Sequence, residues 1–107
     1  MKNQNEVKIN KAEVIRTRIG QEGLKEELLL AYLDTVEEMA REKKLSYVTI
    51  DQGIAGYFAV LMTYDKEIDD YSPWETGFRR SKDKKPALVE AFTWTQAEGI
   101  EDEAVCA

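Results

Sequence analysis

Residues 56–99 read GYFAVLMTYDKEIDDYSPWETGFRRSKDKKPALVEAFTWTQAEG, and this stretch decides the fold. From Tyr57 to Tyr64 every residue but Thr63 is apolar or aromatic, bounded by Gly56 and Asp65. That composition reads as a strand. Alternation puts Phe58, Val60, Met62 and Tyr64 on one face and Tyr57, Ala59, Leu61 and Thr63 on the other. A strand with one wet face alternates apolar with polar residues. This one does not, so both of its faces read as covered at least in part. The charged turn Asp65–Asp70 then leads into a returning strand over Tyr71–Arg80, which carries Trp74 and Phe78.

Past that strand a basic loop, Arg79–Lys85, enters a helix. Ser81 or Asp83 stands at its cap and Pro86 in its first turn. Leu88, Ala91, Phe92 and Thr95 recur at helical spacing, flanked by Ala87 and Trp94. Gly99 followed by apolar Ile100 is a helix stop, and residues 101–107 read as an acidic, mobile tail.

Working toward the N-terminus, Leu45–Ile50 is a short strand that turns into the central one through residues 51–56. Before it, Leu24, Leu28, Tyr32, Val36, Met39 and Ala40 step by threes and fours opposite Glu26, Glu27, Asp34, Glu37, Glu38 and Arg41. This spacing predicts an amphipathic helix over about Glu22–Lys43. Asn10-Lys11-Ala12-Glu13 is a capping box, so residues 1–20 read as a polar arm or a short helix reaching Ile19. Val7-Lys8-Ile9 could pair briefly at a sheet edge. The expected fold is α+β: one domain over residues 1–107, its core at 22–100. It has a small antiparallel three-stranded sheet packed by a long N-terminal helix and a C-terminal helix.

Composition narrows the function by exclusion. The chain has 107 residues, 43% of them hydrophobic, enough for a modest core without staples. A lone Cys106 excludes a disulfide framework and a cysteine-based zinc site, and the absence of histidine removes Ser-His catalysis. No phosphate-binding glycine loop or dinucleotide fingerprint is present, so no cofactor is expected. The apolar runs are too short to span a bilayer and no signal-peptide pattern opens the chain, so a cytoplasmic setting away from membranes is expected.

Asp65, Glu67 and Asp69 match the first spacings of a calcium loop, but Asp70 and Thr76 stand where that loop needs glycine and glutamate. They read as a solvated turn, with no metal. The net charge is −6, yet residues 78–86 carry five basic side chains and one acidic. Arg79, Arg80, Lys82, Lys84 and Lys85 crowd a helix start, where cations oppose the dipole and an anionic partner would relieve them. The aromatics, interleaved with carboxylates, read as core and interface residues rather than a base-stacking platform.

The order helix-strand-strand-strand-helix, with Gly77-Phe78-Arg79-Arg80-Ser81-Lys82-Asp83-Lys84-Lys85-Pro86-Ala87 before the last helix, resembles the double-stranded-RNA-binding domain. The resemblance implies phosphate contacts at Lys82, Lys84 and Lys85. Arm-binding domains of integrases and some small antitoxins share this layout, so topology alone does not choose a function.

The residues together point to a non-enzymatic module, with no catalytic residues, that binds another protein or a second copy of itself. Two helices on one sheet face leave Tyr57, Ala59 and Leu61 uncovered in this reading. The candidate contact residues are therefore Tyr57, Leu61 and Trp74 with Arg79, Arg80, Lys82, Lys84 and Lys85. Nucleic-acid binding through the basic loop is the alternative, disfavoured by the overall charge.

Overall fold

The computed structural model describes residues 10–74 and 79–105. Among them the elements run α1 (Lys11–Glu22), α2 (Glu26–Glu42), β1 (Tyr47–Gly53), β2 (Gly56–Asp65), β3 (Asp70–Trp74), α3 (Lys84–Ala97) and α4 (Ile100–Val105). The class is α+β, with an antiparallel three-stranded sheet in the order β1-β2-β3.

Local chemistry accounts for most boundaries. Asn10 caps α1, its Oδ1 accepting from Ala12 N at 3.0 Å and Glu13 N at 3.4 Å. Gly23, at φ 84°, ends that helix, so the chain between Glu22 and Lys43 is not one continuous helix as its periodicity suggests. Lys44 takes a left-handed φ of 58° after α2, and Leu45 N closes back onto Ala40 O at 2.9 Å, which turns the chain into β1.

The core gathers Leu29, Tyr32, Leu33, Val36 and Ala40 of α2, Val48 of β1, Ala59 of β2, and Leu88 and Ala91 of α3. α3 lies against β1 and β2, and α2 against β1. Small residues meet at that contact: Ala59, Ala87 and Ala91 are all buried. The helices therefore cover the face carrying Ala59 and Leu61, which is the face expected to stand open. Leu61 packs against the core. Across the sheet, Tyr47, Val60, Met62, Tyr64 and Tyr71 share the other face.

That second face is closed by rings and cations rather than by a helix. Tyr71 sits 5.1 Å from Tyr47 and 5.6 Å from Tyr64, centroid to centroid. Arg41, from the end of α2, lies 4.6 Å over the Tyr71 ring and donates to the Tyr47 hydroxyl at 2.6 Å. Lys44 covers Tyr64 at 5.2 Å, and the Tyr64 hydroxyl donates to Asp69.

Two further expectations are corrected. The returning strand, described over Asp70–Trp74, does not reach Arg80: Arg79 and Arg80 are outside any strand, and residues 75–78, Phe78 among them, lie outside the described residues. The acidic segment after Gly99 is helix over Ile100–Val105, with Ile100, Glu101 and Ala104 buried. Ala12 and Ile19 of the short helix α1 belong to the core, so that helix packs as part of the folded body. Cys106 and the expected pairing at Val7-Lys8-Ile9 fall outside the described residues.

Candidate functional site: a cationic cleft at the start of the third helix

β3 pairs with β2 from Asp70 opposite Asp65 to Trp74 opposite Leu61. Continued without interruption, that ladder would bring position 78 opposite Tyr57. Ser81 is there instead, exchanging two hydrogen bonds with Tyr57: Tyr57 N to Ser81 O and Ser81 N to Tyr57 O, both 2.7 Å. The three residues of excess chain leave Arg79 and Arg80 beside the sheet edge rather than within the ladder.

Gly56 makes this docking possible. It adopts φ 121°, and a Cβ on it would overlap the Ser81 carbonyl, lying 2.8 Å from the carbonyl carbon. At the other end of the hairpin turn Gly53 lies close to Arg80 and Phe58: a Cβ there would be 3.4 Å from Arg80 Nη1 and from Phe58 Cε1, an ordinary contact distance. The Arg80 guanidinium carbon lies 4.1 Å from the centre of the Phe58 ring, a cation–π contact that seats it against the sheet.

Between this segment and α3 lies a cleft of about 490 Å³, lined by Arg79, Arg80, Ser81, Pro86, Ala87, Val89 and Glu90. On the sheet side a hollow of about 300 Å³ is lined by Asp51, Phe58, Val60, Pro73 and Arg80. Arg80 borders both. Each volume falls within or just at the lower end of the range for small ligand sites. Among the described residues, the first cavity is lined by apolar groups with Arg79, Arg80, Ser81 and Glu90, and the second by apolar groups with Arg80 and Asp51. Compared with protein-family models, curated proteins and solved structures, the chain matches none.

Of the residues singled out from sequence, Arg79 and Arg80 meet at this cleft. Lys82 and Lys85 are exposed on the adjoining segment, and Lys84 is half-buried. Lys84 borders a neighbouring hollow with Tyr57, Ile50 and Leu30. Leu61 belongs to the helix-side packing, and Trp74 stands 61% exposed at the end of β3, in neither cavity. Sequence reasoning missed Phe58, Pro73, Pro86 and Val89. The available signal was Gly56 itself, a glycine opening an otherwise bulky strand.

The turn carboxylates are engaged locally. Asp65 Oδ1 accepts from Glu67 N at 2.9 Å, Asp70 Oδ1 from Tyr71 N at 2.7 Å, and Lys44 Nζ lies 3.9 Å from Asp69. Among the described residues no cluster of acidic, cysteine or histidine side chains is placed to hold a metal ion, and no helix is long and apolar enough to cross a membrane.

One polar group of the core is unusual. Glu101 is 3% exposed, and its Oε1 lies 3.7 Å from Arg16 Nη1 without a hydrogen bond. Among the described residues the fully buried Tyr32 hydroxyl also has no hydrogen-bond partner. Burial, and then the negative charge of Glu101, push the Tyr32 phenol well above its ordinary range.

Proposed function

We propose that the chain is a non-enzymatic protein-binding module whose contact surface is the cleft at the start of α3. The observation that carries this reading is the placement of two arginines over apolar walls on a chain of net charge −6. Arginine beside apolar surface is the composition of interface anchors. Catalysis finds little support there, since among the described residues the only hydroxyl nucleophile lining the cleft is Ser81, and the chain has no histidine to activate it. Duplex nucleic acid is the weaker reading, because phosphate ladders need accumulated positive charge, while the chain carries a net −6 and Glu90 lines this cleft.

The test uses the full chain with a photo-crosslinking residue at Glu90, mixed with an extract of the native host. A discrete protein adduct that Arg79→Glu removes supports the reading. A shift of duplex RNA at about 150 mM salt, lost when Lys82, Lys84 and Lys85 are reversed to Glu, would replace it with nucleic-acid binding.

A further inference from the structure

The two edges of the sheet are built differently. β3 carries Pro73, which has no N–H to offer a further strand. β1 spans Tyr47–Gly53, pairs with β2 one for one and contains no proline or lysine. Its outward groups follow from the ladder. Tyr57 spends its N–H and C=O on Ser81, on the far side of β2, so its pair partner Gln52 turns both of its own away from β2. Two residues back, Ile50 does the same. Val48 is buried, whereas Ile50 is half-buried and Gln52 exposed, so the edge is open from Ile50 to Gln52. Among the described residues nothing bonds the Ile50 N–H, the Ile50 C=O or the Gln52 C=O. The Gln52 N–H is held by the neighbouring Asp51 Oδ1 at 2.8 Å.

A hollow of about 270 Å³ accompanies this edge. It touches successive residues 49–52 of β1, and since alternate residues face opposite sides of a sheet, it lies along the edge rather than on either face. Leu30 of α2, Ile50 and Tyr57 give it apolar walls, and Lys84 lines it as well. Lys84 stands toward the hairpin turn, because Lys82, two residues before it, has its N 3.3 Å from where a Cβ on Gly56 would lie.

We propose that the β1 edge takes an extended segment of a partner protein as a fourth, antiparallel strand, with an apolar side chain in the hollow and a carboxylate two residues before it beside Lys84. The surface goes beyond the cleft at the start of α3, with which it shares no lining residue among those described. The partner residue facing Ile50 exchanges two backbone hydrogen bonds with it, and the residue facing Gln52 donates one to its C=O. Facing residues share a side of the sheet, so the side chain opposite Ile50 enters the hollow against Leu30 and Tyr57. The carboxylate opposite Gln52 meets the Lys84 ammonium and relieves a cation at the start of α3, where the helix dipole opposes it. A second copy of this chain fits worse. Two antiparallel edges join about an axis normal to the sheet, so the copy would bring its own α2 to the side where Leu30 of this α2 already stands, and a lone strand brings no helix.

The probe is the heptapeptide Gly-Thr-Glu-Thr-Val-Thr-Gly, blocked at both ends and titrated to about millimolar into the ¹⁵N-labelled full chain. In the free chain the Ile50 amide should exchange with water at least about tenfold faster than those of Thr49 and Asp51, which bond to β2, and the peptide should slow it. Methylating the peptide's Val nitrogen removes the bond to the Ile50 C=O and should cost about tenfold in affinity. Methylating the nitrogen of the Thr just before it, which points away from β1, should leave binding within about twofold. Val→Ser in the peptide should also cost about tenfold, and Glu→Gln in the peptide or Lys84→Glu in the chain about threefold. Arg79→Glu should change nothing. Thermal melts confirm that each variant is folded.

Equal effects of the two N-methyl groups overturn the proposal, as does the absence of amide shifts at Ile50 and Gln52. So does an Ile50 amide already slow in the free chain, which would mean that residues 1–9 or a second copy cover the edge. The crosslink from Glu90 depends on Arg79 and not on Lys84, so the reading of the α3 cleft stands or falls separately.

Discussion

Gly56→Ala is the sharpest perturbation the structure offers. At φ 121° an L side chain costs about 1–3 kcal/mol in backbone strain alone. The added methyl would also occupy the space of the Ser81 carbonyl, which is backbone and cannot rotate aside. Ser81 must retreat, and the two 2.7 Å hydrogen bonds with Tyr57 stretch or break, at roughly 0.5–1.5 kcal/mol each. The expected loss is about 3 kcal/mol, equivalent to a Tm lower by roughly 12–24 °C for a domain of this size. Far-UV circular dichroism melts measure it directly. Gly20→Ala is the control: Gly20 lies within α1 with nothing near its absent Cβ, so alanine there should raise stability by about 0.5–1 kcal/mol. A Gly56→Ala melt indistinguishable from that of the parent chain would refute the claim that the Ser81 bridge is held by a glycine contact.

Tyr32→Phe removes a buried hydroxyl that has no partner and should leave stability unchanged or raise it by up to about 1 kcal/mol in denaturant melts. Because burial raises the Tyr32 phenol in the folded state, the unfolded chain ionises first. Stability is therefore fully present below the ordinary tyrosine value and is lost as pH climbs beyond it. Urea melts from pH 8 to 11 should show that decline, and Tyr32→Phe should flatten it; an identical slope would refute the assignment to Tyr32. Arg41→Ala takes away the hydrogen bond to Tyr47 and the cation over Tyr71, an expected loss of about 1–2 kcal/mol given a half-exposed guanidinium. Arg41→Lys should recover only part of the melting temperature, because the ammonium cannot lie flat over one ring while donating to another.

What could be read from the sequence was what local chemistry decides. The Asn10 cap, the α2 stripe and the start of α3 near Pro86 depend on neighbours within a few residues. What escaped depends on which surfaces meet. β2 is apolar on both faces, so alternation could define its two faces but not say which one the helices take. The size of Ala59, set against Ala87 and Ala91, was the available cue, since small residues let a helix approach a sheet closely. The arginines were visible as charge, but their placement beside the sheet follows from excess chain before Ser81, which no pattern of hydrophobicity encodes. Helix α4 was obscured by its carboxylates. Ile100 and Ala104 stand one helical turn apart, and an acidic residue buried beside them is the exception that composition argues against.

The contact between Arg16 and Glu101 also orders events in time. It joins the first helix to the last, across nearly the whole sequence. Contacts of such long separation carry a large closure entropy and form late. A nascent chain that has released α1, α2 and the sheet still lacks α4, and with it the packing of that helix against α2. Until α4 has emerged from the ribosome, the apolar surface that Ile100 and Ala104 occupy in the finished fold stays wet. The arrival of that short helix, rather than the formation of the sheet, is the step that closes the core around them.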